Sequence, residues 1–179
     1  MNDGITISPF SADQLAANLR PLGDLLHACV QDGASVGFVL PYSAADAELF
    51  WSGQILPALR AGGLSMLVAR RRDVICATVL LAHDTPPNQP HRADVRKLLV
   101  LPAFRRQGIA QALMAKLEQL ATRLGRTLLT LDTRSGDTAE PLYTALGYHT
   151  AGQIPGYCRD PHSGHLDATT LMYKIMPAR

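Results

Sequence analysis

The apolar residues change period repeatedly along the chain. Ile5 and Ile7 alternate with polar neighbours before Ser8-Pro9 ends the run, which predicts a short first strand. Ser11, followed three residues later by Gln14, is a helix-start pairing, and apolar positions then recur with helical spacing through residues 15–30. Pro21 and Gly23 are expected to break or kink that stretch. Residues 33–38 read as a loop. A second helix is predicted over residues 43–60, opened by Ser43 and closed by Gly62-Gly63. Two strand-like runs, 65–69 and 74–82, meet across the polar turn Arg71-Arg72-Asp73. A Pro-rich loop occupies residues 84–90, and a strand over 93–101 is stopped by Pro102.

From residue 107 to 124, Ile109, Leu113, Leu117, Leu120 and Leu124 recur at helical spacing, and Gly125 closes this amphipathic helix. A buried strand over 127–131, a short helix over 139–146 closed by Gly147, and strands around Thr150 and over 169–175 complete the chain. The order is strand, two helices, three strands, helix, strand, helix, two strands. It predicts an α/β fold with a single mixed, mostly antiparallel sheet flanked by helices. No linker or repeat divides residues 1–179, so one domain is expected.

A chain of 179 residues is long enough to bury a core without disulfides or metals, and 47% hydrophobic with 18% charged residues is ordinary globular composition. A net charge of +2 lacks the concentrated basic face of a nucleic-acid binder, but one local cluster suffices for a small anion. Cys29, Cys76 and Cys158 are odd in number and widely spaced, and read as small buried hydrophobes. His162 and His165 lie in a turn without a third ligand, so no metal is expected. Met1-Asn2-Asp3-Gly4 shows no start of a signal peptide, and no apolar run approaches a membrane span. A soluble, cytoplasmic protein is the expectation, with no nucleic-acid or membrane partner; self-association as a homodimer is left open.

The chemistry-bearing segment runs from Leu98 through Pro102 to Arg105-Arg106-Gln107-Gly108-Ile109-Ala110: a strand, a proline, a short basic loop and a helix start. Free amides at a helix N-terminus point outward with a partial positive charge and hold phosphates well. Gly108 lets the backbone approach a ligand, Ala110 keeps the next turn shallow, and the two arginines add charged donors. Neither a triphosphate loop with Gly-Lys-Ser/Thr nor a three-glycine dinucleotide fingerprint is present.

Arg105-x-x-Gly108-x-Ala110, preceded by Val100-x-Pro102, resembles the coenzyme-A pyrophosphate signature of the GNAT superfamily of N-acetyltransferases. The resemblance implies acetyl-CoA as co-substrate, held by residues 105–110. It further implies that the strand before the signature splays from its neighbour, exposing backbone near Leu99 and Val100 to the pantetheine. Four stretches also resemble the bacterial tabtoxin-resistance acetyltransferases: Gly33-Ala34-Ser35-Val36-Gly37-Phe38, Lys97-Leu98-x-Val100-Leu101-Pro102, Leu131-Asp132-Thr133 and Pro155-Gly156-Tyr157-Cys158. Those enzymes acetylate an amino-acid toxin, so the implied acceptor is the primary amine of a small molecule, an antibiotic or amino-acid-like toxin. A protein α-amine or lysine, reached through a groove near residues 84–90, and an inactive coenzyme-A-binding module are the alternatives.

Acetyl transfer to an amine requires deprotonation of the acceptor and protonation or stabilisation of the departing thiolate. Tyr143 stands where the superfamily often places the tyrosine that protonates the thiolate; the other reading is an aromatic anchor. Asp132 follows the apolar run 128–131 and is expected at a strand end, where it binds or helps deprotonate the acceptor, or else caps a turn; Thr133 is placed beside it. Ser35 and Gly37 lie in the loop that in this fold covers the acceptor, and Tyr157 is a candidate for the same pocket. The glutamate base many members carry is missing, because the preceding strand offers Asp94, Arg96 and Lys97 instead. An asparagine frequent before the final helix is replaced by Ser135-Gly136-Asp137-Thr138.

Overall fold

The computed structural model describes residues 4–177, so the signal-peptide reading of Met1 to Asp3 lies outside the described residues. Seven strands form one sheet: β1 (Ile5–Pro9), β2 (Leu64–Arg71), β3 (Val74–Ala82), β4 (Arg92–Val100), β5 (Leu128–Arg134), β6 (His149–Arg159) and β7 (Leu166–Ile175). Their spatial order is β1-β2-β3-β4-β5-β7-β6. Every neighbouring pair is antiparallel except β4 with β5. The single mixed, mostly antiparallel sheet expected from the pattern is therefore observed.

Helices cover both faces, and the alternation of side chains decides which strand positions meet which cover. Leu67, Val79, Leu81, Leu129 and Leu131 pack with Leu113, Met114 and Leu117 of α5 (Ile109–Arg123), and Tyr143 of α6 (Ala139–Ala145) joins them. Met66, Val68, Leu80 and Leu99 point the other way. They meet Leu15 of α1 (Ala12–Ala16), Leu22, Leu25 and Leu26 of α2 (Leu19–Gln31), and Trp51 beyond α3 (Ala44–Phe50). The Trp51 indole donates to the Leu22 carbonyl at 2.8 Å, which satisfies its one polar atom in the core.

Three elements depart from the expected pattern. The first helical stretch breaks at Ala17-Asn18 rather than at Pro21, because Pro21 falls in the first turn of α2, where its missing N–H costs nothing. Gly23 does not interrupt α2; a Cβ there would come within 2.6 Å of Glu48 on α3, so the glycine permits close helix packing. The second predicted helix continues through a π-helical turn at Trp51–Ile55 into α4 (Leu56–Arg60). There the Leu56 N–H bonds the Trp51 carbonyl five residues back, an extra residue accommodated just before Pro57. The third departure bears on function. β5 runs on to Arg134, so Asp132 and Thr133 lie inside a paired strand, opposite Leu171 and Thr170 of β7, not beyond a strand end.

Candidate active site

β4 and β5 share only three register pairs, Arg92 with Leu128, Ala93 with Leu129 and Asp94 with Thr130. Past Asp94 the strands part, while β4 keeps pairing with β3 as far as Val100 and β5 keeps pairing with β7 as far as Arg134. The seam thus opens toward the C-terminal ends of both strands. The Leu101 N–H donates to the Cys76 carbonyl of β3 at 2.9 Å. One residue back, the Val100 peptide groups must therefore face the open seam, and those of Leu99 face β3. Of the two positions, Val100 presents backbone to the gap; Leu99 contributes a buried side chain. The Val100 carbonyl accepts from the Cys29 thiol at 3.4 Å and from Arg105 Nε at 3.2 Å.

Below the seam mouth a short 3-10 turn, Pro102–Phe104, leads into α5. Arg106 and Gly108 take left-handed φ values of +61° and +77°, and Gly108 is the N-cap. No side chain caps this helix, and its first intrahelical donor is Ala112, bonded to the Gly108 carbonyl. The amides of Ile109, Ala110 and Gln111 are left over, as at any helix start lacking a cap. A Cβ at Gly108 would meet nothing within 4 Å, so the space above the amides is open. A depression of about 260 Å³ beside the helix start is lined by Ile5, Ile7, Gln107, Gly108, Ala112 and Lys116. Arg106 is exposed, whereas Arg105 reaches across to the Asp32 carboxylate at the end of α2. The helix start and open strand edge fit a phosphate-bearing ligand with an extended polar arm, by backbone donors for the former and the seam-facing Val100 N–H for the latter.

On the α1–α4 face two of the expected acceptor residues, Ser35 and Gly37, lie in one loop. Residues 33–42 are fastened from three sides. The Arg134 guanidinium of β5 donates to the Gly33 carbonyl at 3.2 Å. Lys97 Nζ of β4 donates to the Val36 carbonyl at 2.6 Å. Pro161, in the turn between β6 and β7, accepts from the Leu40 N–H at 3.2 Å. Ser35 Oγ lies 3.4 Å from Cys158 Sγ, and Gly37, at φ +93°, presents the spot where a Cβ would stand 3.7 Å from Lys97 Nζ.

Arg134 also pairs with Asp137 and Asp160 at 3.1 and 2.9 Å. Asp160 is thus tied to β5 as well as to its own turn. It accepts from the backbone and hydroxyl of Ser163 and from the His162 N–H, and these bonds, with Arg134 nearby, hold its carboxyl down to about 2.

Asp132 shares this face. Its carboxylate accepts from Thr169 Oγ1 at 3.4 Å. Thr133, one residue on, points to the opposite face and offers the carbonyl that takes Thr169 Oγ1 at 3.0 Å, so its side chain does not stand beside Asp132. Tyr157 is half-exposed on the outermost strand, in the irregular part of β6 next to Cys158. Tyr143 is buried, 7% exposed, with its ring packed edge-on against Tyr148. Burial, reinforced by the Asp132 charge, raises its pKa well above the ordinary phenol, so the hydroxyl stays protonated. Asp132 also opposes the lowering that burial imposes on Lys97. One carboxylate therefore sits in electrostatic reach of both groups.

Lys97 carries no role in the sequence reading; its place emerges only in the fold, where β4 directs its ammonium to the Val36 carbonyl. The loop 84–90 enters β4 at Arg92, where the seam is closed, and stands at the far end from Lys97 and Asp132. Among the described residues no group of three or more His, Cys, Asp or Glu could hold a metal, and no helix is long and apolar enough to cross a membrane.

Solved structures share this architecture. The phosphinothricin acetyltransferase of Sinorhizobium meliloti in complex with AcCoA is 19% identical, with a TM-score of 0.76 over 96% of this chain and 88% of that one. The ribosomal-protein-alanine N-acetyltransferase of Brucella melitensis is 18% identical, TM-score 0.77, over 96% and 99%. The yncA protein of Salmonella typhimurium with its cofactor acetyl-CoA is 16% identical, TM-score 0.76, over 98% and 96%. At such identities the likeness is one of fold. The sequence itself matches the acetyltransferase (GNAT) family over residues 23–148, a span that takes in the parted strands, the basic loop, the uncapped helix and Tyr143, and the chain belongs to that family.

Proposed function

We propose that the protein transfers the acetyl group of acetyl-CoA to the primary amine of a small molecule, in a detoxifying or resistance role in the cytoplasm. The observation that supports this reading is the placement of two half-sites along one open seam: uncapped amides at the start of α5, and the Lys97 ammonium held against the 33–42 loop with the exposed Asp132 carboxylate on β5. Acetyl-CoA, when bound, supplies a thioester and leaves a thiolate. The amides of Gln107, Gly108, Ile109 and Ala110, with the Arg106 guanidinium, hold the pyrophosphate, and the Val100 N–H takes the pantetheine. Arg105 steadies this end by tying the strand end to Asp32.

On the acceptor side Asp132 holds the ammonium and, directly or through water, takes its proton. Tyr143, a neutral phenol whose burial keeps its proton on to higher pH, donates a hydrogen bond to the departing sulfur. Ser35, Gly37 and Tyr157 flank the acceptor. Thr133, facing away, acts through its carbonyl on Thr169 and so on Asp132.

A small acceptor is favoured over a protein one because residues 33–42 are pinned against Lys97 and Arg134 beside the parted strands, while the loop 84–90 stands at the closed end of the seam. The fold likeness to a phosphinothricin acetyltransferase supports an amino-acid-like amine, the kind of acceptor the tabtoxin-resistance resemblance implies. The long outer strand β6, with exposed Ile154 and Tyr157, offers an unpaired edge to a second copy, and we include a homodimer in the proposal. The test is a screen of amines, aminoglycosides and peptide N-termini with acetyl-CoA, reading thiol release. Turnover of small amines is expected; acetylation of peptides alone, or coenzyme binding without any transfer, refutes the reading.

A further inference from the structure

Lys97 occupies an irregular place. β4 is in register with β3 at Leu99 and Val100, then carries one extra residue between Thr78 and Leu80, and in that bulge Lys97 takes φ +51°. A left-handed backbone is unfavourable for a lysine and persists only where the surroundings impose it. Thr78 Oγ1 donates to the Lys97 carbonyl at 3.2 Å and helps to hold it. A bulge re-aims a side chain. Here it sends the lysine beneath the 33–42 loop, where the ammonium lies 5.3 Å from the ring centroids of both Phe38 and Phe50.

The charge is held but not matched. Of three N–H donors on an ammonium, one goes to the Val36 carbonyl, and the others have no hydrogen-bond partner among the described residues. None of the ion pairs formed among those residues includes Lys97. A half-buried cation facing a carbonyl and two ring faces is costly to desolvate unless an anion joins it. Asp132, exposed on β5 beyond the closed part of the seam, likewise forms no ion pair among the described residues and has one hydroxyl donor at 3.4 Å. This side of the parted seam therefore presents a half-buried cation and an exposed carboxylate that do not neutralise each other by contact. A simple cationic amine would be repelled by Lys97; a zwitterion matches both.

We propose that Lys97 determines acceptor specificity by holding a carboxylate of the acceptor, so that the substrates are amino-acid-like zwitterions with the amine on the Asp132 side. This deepens the transferase reading and rests on its placement of the acceptor. The probes are free α-amino acids and their α-amides, measured by calorimetry on coenzyme-A-loaded protein and by thiol release with acetyl-CoA. The parent should favour acids over amides by about tenfold or more, as a charge-assisted contact predicts. Lys97→Met, which keeps the apolar stem among the rings, should bring that ratio close to one through weaker binding and higher KM of the acids. Lys97→Arg, which keeps the charge, should retain the preference, and melting curves identify any variant that fails to fold. Amides bound as well as acids, no acid bound at all, or a Met variant with the preference intact overturns the proposal. So does a Met variant that loses kcat on acids and amides alike, since that would make Lys97 a proton carrier. Acids bound with the expected pattern but never acetylated uphold the role of Lys97 and refute the transferase reading instead.

Discussion

Replacing Tyr143 with phenylalanine isolates the hydroxyl from the ring. The ring is 7% exposed and packs with Tyr148 in the cluster beneath α5, while the hydroxyl makes no hydrogen bond among the described residues. Removing an oxygen that has no partner should change stability by no more than about 0.5 kcal/mol, whereas truncation to alanine, which empties a ring-sized space, should cost about 3–5 kcal/mol. If the hydroxyl donates to the departing thiolate, the Phe variant should lose about 100-fold in kcat, the lower end of general-acid effects. That is about 2.7 kcal/mol of transition-state stabilisation. Coenzyme affinity should hold, because the thiolate exists only late in the reaction. Steady-state thiol release, calorimetry with acetyl-CoA and melting curves on both variants separate these quantities. A Phe enzyme that turns over like the parent makes Tyr143 a packing residue and refutes the reasoning.

Gly108→Ala places a Cβ in open space at φ +77°, so it should cost about 1–2 kcal/mol of backbone strain in the free protein and weaken acetyl-CoA binding well beyond that. Calorimetry showing parental affinity in a folded variant would remove the pyrophosphate from this helix start. Asp132→Asn should lower acceptor kcat/KM by at least about tenfold with coenzyme affinity nearly unchanged; equal loss of both counts against an acceptor role. Burial raises the pKa of Tyr143 and of Tyr148, the latter with Glu118 adding to the shift. The unfolded chain therefore loses these protons first as pH rises, and the stability they contribute is intact below about pH 10 and declines above it, by about 1.4 kcal/mol per pH unit for each. Urea melts between pH 8 and 11 should show this fall, shallower in Tyr148→Phe; a flat profile contradicts it.

The strands and α5 were legible because their signals are local. Of the five apolar residues at helical spacing, Ile109, Leu113 and Leu117 are buried along α5, Leu120 packs at its margin and Leu124 ends exposed at the C-cap; the Arg72-Asp73 turn separates two hydrophobic runs that pair as β2 and β3. The basic loop before α5 was legible for the same reason, with strand, proline, glycine and helix adjacent in sequence. What escaped reading was set by distant partners. The polar end of β5, Asp132-Thr133-Arg134, has no strand-like pattern of its own and is extended because β7 pairs with it across Leu171, Thr170 and Thr169. Arg105 looked free for a phosphate, yet Asp32, 73 residues away in sequence, lies within its reach. The aim of Lys97 depends on one extra residue in β4 relative to β3, and no property of the lysine's neighbours in sequence announces a bulge.

The narrow junction of β4 and β5 has a mechanical meaning. Three register pairs join a four-strand half, β1 to β4, to a three-strand half, β5 to β7, so the sheet behaves as two plates fastened at one corner. Hydrophobic packing of Val95 and Ala93 with Leu129 and Leu131 keeps the plates together on the α5 side, but the free corner has no ladder of its own. A ligand lying along that corner would replace the missing ladder, and its binding energy would appear as rigidity of the whole sheet as well as occupancy of a site. With acetyl-CoA in that place, as proposed, catalysis and mechanical integrity would be served by the same bonds: each turnover would end by removing a rivet, and the protein would be at its most pliable in the interval between one coenzyme and the next.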